Sequence, residues 1–95
     1  MVVGVCRLEL LIYDCQSLKS KRQVLRKFKD NISNRFNVSI AEVGAQDLWQ
    51  RSVIGIAVAG SDKKIVNAML NKVMDYSANI SAFEIIDETI ELINY

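Results

Sequence analysis

Apolar and polar residues alternate along the start of the chain with the period of two that is typical of a β-strand. One face of this segment carries Cys6, Leu8, Leu10 and Ile12. The segment is rich in β-branched and other apolar residues throughout. The pattern therefore predicts a first strand over Val2 to Tyr13.

The period then changes to that of an amphipathic helix. Apolar residues recur at spacings of seven, three and four residues, at Leu18, Leu25, Phe28 and Ile32. Ser17 is a favourable N-cap because its hydroxyl can accept a hydrogen bond from the first helical turn. This stripe predicts a helix from about Leu18 to Arg35.

Three strands and one further helix are predicted after the first helix. The patterns place strands over Phe36 to Val43 and Trp49 to Ala59, joined by a short turn that favours antiparallel pairing. Asp62 caps a second helix, whose apolar positions Ile65, Met69, Val73 and Tyr76 fall at spacings of four, four and three and are joined by Val66 and Leu70. The last strand, Ala82 to Tyr95, lacks clean alternation, so we expect a bulge or an exposed edge there.

The element order is therefore β-α-β-β-α-β, with no repeat, linker or proline in 95 residues. Two right-handed split βαβ units of this kind predict an α+β fold of the ferredoxin-like type. Such a fold is a four-stranded antiparallel sheet with two helices on one face. We expect a single domain over residues 1–95.

The other face of this sheet is predicted to be too apolar for bare solvent. It receives Val3, Val5 and Leu11 from the first strand and Val53 from the third. Contiguous exposed apolar patches usually mark interfaces. A homodimer packed sheet on sheet or strand to strand explains this face, and a ligand or a foreign protein partner is the alternative.

Basic residues are concentrated in the first helix, although the formal net charge of the chain is only +1. Cations at the start of a helix oppose the helix dipole, and they strengthen the site that free N–H groups offer to an anion. The second helix also begins with basic residues. The predicted nucleic-acid or anion contacts are Lys19, Lys21, Arg22, Arg26, Lys29, Lys63 and Lys64.

The basic helix has two alternative interpretations. It is either a solvated surface, because lysine is a good helix former, or a surface that pairs with an acidic protein partner. The last strand of another copy would be such a partner, since it holds Glu84, Asp87, Glu88 and Glu91. The low net charge argues against a strong nucleic-acid binder, which is usually basic across the whole domain.

Catalytic and metal chemistry is poorly represented in the sequence. The chain has no histidine and two cysteines, Cys6 and Cys15, which we expect to be a buried hydrophobe and an idle thiol. Asp14, Glu42 and Asp47 have no evident partners. We therefore predict no enzyme activity, no cofactor and no metal. The absence of a leader or an apolar span predicts a cytoplasmic protein without a membrane partner.

Several segments between Met1 and about Tyr76 form a distinctive set: "MVVGVCRLEL", "SLKSKRQVL", "RFNVSIAEV" and "QDLWQR" followed by "IGIAVAG". Together they resemble the YlxP-like family of small bacterial proteins of unassigned biochemical function. The resemblance implies a ferredoxin-like sandwich. Genes of the family commonly lie among those for translation initiation and ribosome maturation factors, which implies a role linked to RNA or the ribosome. The motif residues carried over are Ser17, Leu18, Lys19, Lys21, Arg22, Gln46, Asp47, Leu48, Trp49, Gln50 and Arg51.

Three functional hypotheses follow from the residues and the resemblance. The first is a non-catalytic accessory factor that contacts structured RNA, such as ribosomal RNA, through the first helix. In this hypothesis the segment containing Gln46, Asp47, Trp49, Gln50 and Arg51 is either a second contact or a hairpin fixed by packing of Trp49. The second is a homodimer or protein-interaction module that works through the apolar sheet face. The third is a sensor or enzyme for a small anion, with an oligomeric cleft.

Overall fold

The computed structural model describes residues 1–95 and has the predicted order of elements. The elements are β1 (Val2–Ile12), α1 (Leu18–Arg35), β2 (Ser39–Gly44), β3 (Arg51–Gly60), α2 (Lys63–Ala78) and β4 (Phe83–Asn94). The strands form one sheet in the order β2-β3-β1-β4, and all neighbours are antiparallel. The predicted α+β ferredoxin-like topology is confirmed.

The core lies between the sheet and the two helices. Even-numbered residues of β1 and β3 face the helices, and Leu8, Leu10 and Ile54 are fully buried there. The stripe of α1 contributes Leu25, Phe28 and Ile32, while α2 contributes Val66, Leu70 and Val73. The period-two pattern and the stripe of α1 therefore identified the buried faces correctly. The stripe predicted for α2 was wrong in part: Ile65 is exposed, Met69 and Tyr76 are half-buried, and the buried face is centred on Val66, Leu70 and Val73.

Gly4 in β1 allows α2 to pack directly on the sheet. A Cβ placed on Gly4 would collide with the side chain of Val66 and lie 2.8 Å from that of Leu70. Both of these side chains are themselves buried in the core. A larger residue here would push the helix away from the sheet.

Two strands begin two or three residues later than predicted. Phe36 caps the end of α1, where its N–H donates to the carbonyl of Ile32, and its ring packs edge-on against Tyr76, so β2 begins at Ser39. Trp49 lies in the loop before β3, which begins at Arg51. In both segments the alternation of apolar residues extends beyond the hydrogen-bonded strand, so the pattern alone overestimates the length of the strand at its start.

The last strand shows both of the features predicted for it. Its pairing with β1 shifts register between Glu9 and Leu10, which leaves Ile86 as the extra residue of a bulge. β4 also forms one edge of the sheet, and nine of its twelve residues are exposed. Because β4 lies at the edge of the sheet, only its residues that face α2 must be apolar. This explains why apolar and polar residues do not alternate regularly along it.

Candidate functional site

The solvent-facing side of α1 presents a row of free cations. Lys19, Arg22, Arg26 and Lys27 are exposed, and Lys29 is half-buried. None of them forms an ion pair, since the single ion pair of the chain involves Lys21. α1 holds seven of the twelve Lys and Arg residues and one acid, Asp30. The helix therefore has an uncompensated positive surface.

The beginning of α1 concentrates this positive charge further. The hydroxyl of Ser17 accepts a hydrogen bond of 3.0 Å from the N–H of Ser20, which confirms Ser17 as the N-cap. The first turn contains no acidic residue to offset the helix dipole. Lys19 and Arg22 thus stand at the positive end of the dipole without a counter-charge from this chain.

Lys21 differs from its basic neighbours because it is buried, with only 2% of its surface exposed. Its ammonium lies 2.9 Å from Glu42 Oε2, and it donates to the carbonyl oxygens of Ala45 at 2.7 Å and Gln46 at 3.4 Å. The prediction that Lys21 contacts an anion from solvent is corrected by this placement. Lys21 instead ties the first turns of α1 to the end of β2.

The partners of Lys21 form a small polar cluster beneath the helix. Glu42 also accepts a hydrogen bond of 2.7 Å from the hydroxyl of Ser52, which is buried in β3. The expectation that Glu42 has no partner was therefore wrong. One signal in the sequence could have found the cluster: Lys21 fills the gap of seven residues between Leu18 and Leu25 in the apolar stripe, and so faces inward.

The loop between β2 and β3, residues 45–50, is held at both ends. Ala45 has a left-handed backbone conformation (φ 56°) and its carbonyl accepts from the N–H of Leu48 at 3.1 Å as well as from Lys21. The carbonyl of Gln50 accepts from the N–H of Ile12 at 2.8 Å. These bonds fix the loop against β1 and α1.

The side chains of this loop point outward. Leu48 and Trp49 are each 51% exposed, and Gln46, Asp47, Gln50 and Arg51 are exposed as well. Half of the surface of Trp49 faces solvent and the rest is covered by the protein, so both interpretations of this segment stay predictions. Backbone hydrogen bonds and Lys21 stabilise the loop.

Lys63 and Lys64 are exposed at the beginning of α2, behind the N-cap Asp62. They follow Gly60, the last residue of β3, whereas the loop at residues 45–50 precedes the first residue of that strand. Ten residues of strand separate the two positions by about 30 Å. The structure therefore does not bring Lys63 and Lys64 together with Lys19 and Arg22.

The sheet face opposite the helices is apolar at its centre and acidic along one side. Val3, Val5 and Leu11 are half-buried there, and Val53 is buried against Gly44. A shallow concavity of about 650 Å³ crosses this face, lined among others by Val5, Arg7, Val43, Gly55 and Ala57. The register places Asp87 beside Glu9 and Glu91 beside Val5, so β4 adds negative charge to the same face.

Both cysteines are buried and free. Burial, together with the nearby charge of Glu88, raises the pKa of the Cys6 thiol from 9.0 to about 11. The Cys15 thiol donates to the carbonyl of Ser17 at 3.4 Å. Neither side chain lies in a cluster of three or more groups that could hold a metal ion.

Neither α1 nor α2 combines the length and the apolar composition that a helix needs to cross a bilayer.

Two comparisons with known proteins find similar sequences. The sequence model of a family described as "Protein of unknown function (DUF503)" matches residues 3–90. The chain is also 40% identical over 89 residues to the "Uncharacterized protein YlxP" of Bacillus subtilis (strain 168), and the match covers 94% of each protein. These similarities extend over nearly the whole domain, including both the basic helix and the loop at residues 45–50.

Proposed function

This chain belongs to the DUF503 family of proteins of unknown function, and we propose that it is a cytoplasmic, non-catalytic accessory factor that binds structured RNA. Ribosomal RNA is the example that we favour. The phosphate contacts are made by α1, through Lys19, Arg22 and Arg26, with Lys29 at the margin. Lys63 and Lys64 extend the positive field at the other end of β3.

One observation carries this proposal: the exposed cations of α1 have no acidic partner within the chain. Cations placed for stability alone tend to be paired with acids three or four residues away on the helix surface. In α1 only Asp30 is available, and it forms no ion pair. An external polyanion would supply the missing counter-charge.

The charge distribution also selects the face that RNA would contact. The open sheet face carries Glu9, Asp87 and Glu91 beside Arg7, so it would repel a phosphate backbone. It also has no aromatic residue at the centre of β1 or β3, where sheet-based RNA-binding domains stack bases. The helical face is the one that favours the polyanion.

The test is co-sedimentation of the full chain with ribosomes and with purified ribosomal RNA at low salt. We expect Lys19→Ala combined with Arg22→Ala to weaken association. The decrease of log K with log salt should become less steep by about two units, one for each lost phosphate contact. Lys72→Ala is the matched control, because Lys72 is an exposed, unpaired cation of α2. It should leave association nearly unchanged.

Equal association of the double variant and the Lys72→Ala control would overturn the proposal. Circular dichroism of both variants shows whether the fold is intact. Because the two replaced side chains are exposed, their loss should change the free energy of unfolding by no more than about 0.5 kcal/mol each.

A second candidate function is homodimerisation through the open sheet face, and the apolar concavity favours it. Edge-to-edge pairing of β4 is less favourable, because the four acids of one strand would meet those of the other. We expect Ala57→Arg, at the centre of the concavity, to give a monomer in analytical ultracentrifugation. Asn67→Arg, on the exposed side of α2, is the control. A wild-type chain that is monomeric at high concentration would exclude this function.

The third hypothesis, a pocket for a small anion, has less support. None of the larger cavities of the chain borders Lys19, Arg22, Lys63 or Lys64. A sensor or an enzyme needs a concave site that encloses most of its ligand. An extended polyanion, in contrast, requires only an exposed row of charges.

A further inference from the structure

We propose that Trp49 is a stacking platform for an unpaired RNA base beside the phosphate contacts of α1. This inference rests on the proposed RNA-binding function and adds to it the kind of RNA that is recognised. The ligand is a single-stranded or bulged nucleotide whose neighbouring phosphates lie on Lys19 and Arg22. The site combines an aromatic surface with free cations, as sites for single strands generally do.

The exposure of Trp49 is the first observation. It is the only tryptophan of the chain, and half of its surface is accessible in a structure whose core excludes water from sixteen other residues. Leaving so large an apolar surface in solvent forgoes the stabilisation that its burial would bring. The exposed half of the Trp49 side chain is available to a ligand.

The position of the loop is the second observation. Lys21 reaches from the first turns of α1 to the carbonyl oxygens of Ala45 and Gln46, so the loop and the start of the helix lie at the same end of the molecule. Lys19 and Arg22 belong to the same turns of α1 as Lys21 and are exposed. The aromatic loop and the positive end of α1 therefore share one end of the molecule, where a single RNA strand can cross both.

The fixed conformation of the loop is the third observation. Residues 45–50 are bonded to α1 through Lys21, to β1 through Ile12, and internally between Leu48 and Ala45. A loop that is already ordered loses little conformational entropy when a ligand binds. Stacking then contributes to affinity without an ordering cost at the loop.

A single base fits this loop better than a protein partner does. Stable protein interfaces bury about 800 Å² on each side, whereas Trp49 and Leu48 are the only large apolar side chains exposed on the loop. The concavity beside Trp49 contains one acid, Asp47, and one cation, Arg51. The free cations of α1 lie at the same end of the molecule and suit phosphate. Capture of a protein by this loop is nevertheless one of the outcomes that the test distinguishes.

The intrinsic fluorescence of the full chain reports on the proposed contact directly, because Trp49 is the only tryptophan. The probes are oligoadenylate, as an unpaired strand, and a fully paired RNA duplex of the same length, both at low salt. We expect the unpaired strand to quench the emission of Trp49 strongly and the duplex to quench it weakly. The reason is that only an unpaired base offers a free aromatic face.

Two variants separate stacking from phosphate contact when binding is measured by fluorescence anisotropy of labelled oligoadenylate. Trp49→Ala should lose about 5- to 140-fold in affinity, the range that corresponds to loss of one stacked base. Trp49→Phe, which keeps an aromatic ring, should lose much less. Both should keep the wild-type salt dependence, while Lys19→Ala reduces it.

The failures of this inference and of the proposed function are distinguishable. If oligoadenylate binds but neither quenches Trp49 nor responds to Trp49→Ala, the stacking site is wrong and phosphate binding by α1 stands. Equal quenching of Trp49 by the unpaired strand and by the duplex also overturns the stacking site. If neither RNA binds at low salt, both proposals fail. Loss of a protein partner on Trp49→Ala, with RNA affinity unchanged, assigns the loop to protein recognition instead.

Discussion

The ammonium group of Lys21 is buried, and in place of water it contacts the carboxylate of Glu42 and the carbonyl oxygens of Ala45 and Gln46. These contacts hold α1 to the end of β2. Its methylene chain lies in the apolar stripe of the helix, while its ammonium reaches the polar cluster. The residue thereby serves as a core residue and as an anchor for the loop that carries Trp49. The stability of the fold and the geometry of the proposed site meet at this one side chain.

Lys21→Met keeps the apolar stem and removes the ammonium. We expect the free energy of unfolding to fall by about 2–3 kcal/mol, because Glu42 and the Ala45 carbonyl lose their partner in a partly buried position. Urea unfolding measures the change. Lys19→Met is the control and should shift the free energy by no more than about 0.5 kcal/mol.

Adding Glu42→Gln to Lys21→Met should lower the free energy of unfolding by less than the sum of the two single changes. Strict additivity would show that the ion pair contributes nothing.

The thiol of Cys6 gives the chain a pH dependence in the alkaline range. Its pKa is raised from 9.0 to about 11 in the folded chain, so the unfolded chain loses this proton first. Between these two values the unfolded state binds fewer protons, and the free energy of unfolding falls as the pH rises. Below pH 9 the contribution is constant.

Urea unfolding of the wild type and of Cys6→Ala across this pH range tests that dependence. The variant starts from a lower stability, because it leaves a small cavity. Its free energy of unfolding should nevertheless fall less steeply with pH than that of the wild type. Parallel curves for the two proteins would contradict the assignment to Cys6.

At the scale of the element, α1 begins with cations where a helix is stabilised by acids. Ser17 satisfies the N–H of Ser20 and carries no charge. The helix therefore gives up a stabilising interaction that a single substitution could provide. We interpret this as the cost of keeping the beginning of α1 positive for an anionic partner.

Ser17→Asp should restore the missing interaction, since aspartate caps as well as serine and also complements the dipole. We expect a gain of about 0.3–1 kcal/mol, or a rise in Tm of about 2–6 °C, together with weaker binding of RNA. Ser33→Asp is the control, because it adds the same charge in the last turn of α1 and should lower Tm slightly. Stronger RNA binding by Ser17→Asp would contradict the proposed role of this helix end.

At the scale of the molecule, the charge of +1 conceals a strong separation of charge. α1 carries seven cations and one acid, a net charge of +6, so the remaining segments together carry −5. The acids lie mainly on β4 and the loops, with two cations, Arg7 and Arg51, outside the two helices. Such a distribution orients the molecule toward a polyanion although its total charge is small.

This separation predicts that the chain is retained at neutral pH and low salt by heparin and also by a cationic matrix. Arg22→Ala combined with Arg26→Ala should elute from heparin at lower salt, because both cations lie on the exposed side of α1. Its retention on the cationic matrix should not decrease. Equal losses on both matrices would indicate that total charge, rather than the separation of charge, governs binding.

The pattern of apolar residues was sufficient to predict the fold. The period of two along β1 and β3, and the stripe Leu25, Phe28 and Ile32 on α1, reflect burial against a single core, and burial is local enough to be visible in the sequence. The strand starts at Phe36 and Trp49 were predicted too early. A cap contact and a loop conformation decide those boundaries, and neither depends on alternation.

The sequence by itself determined the element order, the buried faces of β1, β3 and α1, and the concentration of charge on α1, because each follows from the spacing of residues along one segment. Only the tertiary structure decided which cations are free, that Lys21 is buried with Glu42 beneath α1, and that Trp49 is exposed. It also separated Lys63 and Lys64 from the start of α1. These features depend on contacts between residues distant in the sequence, 21 and 42 above all, and no local pattern specifies such contacts.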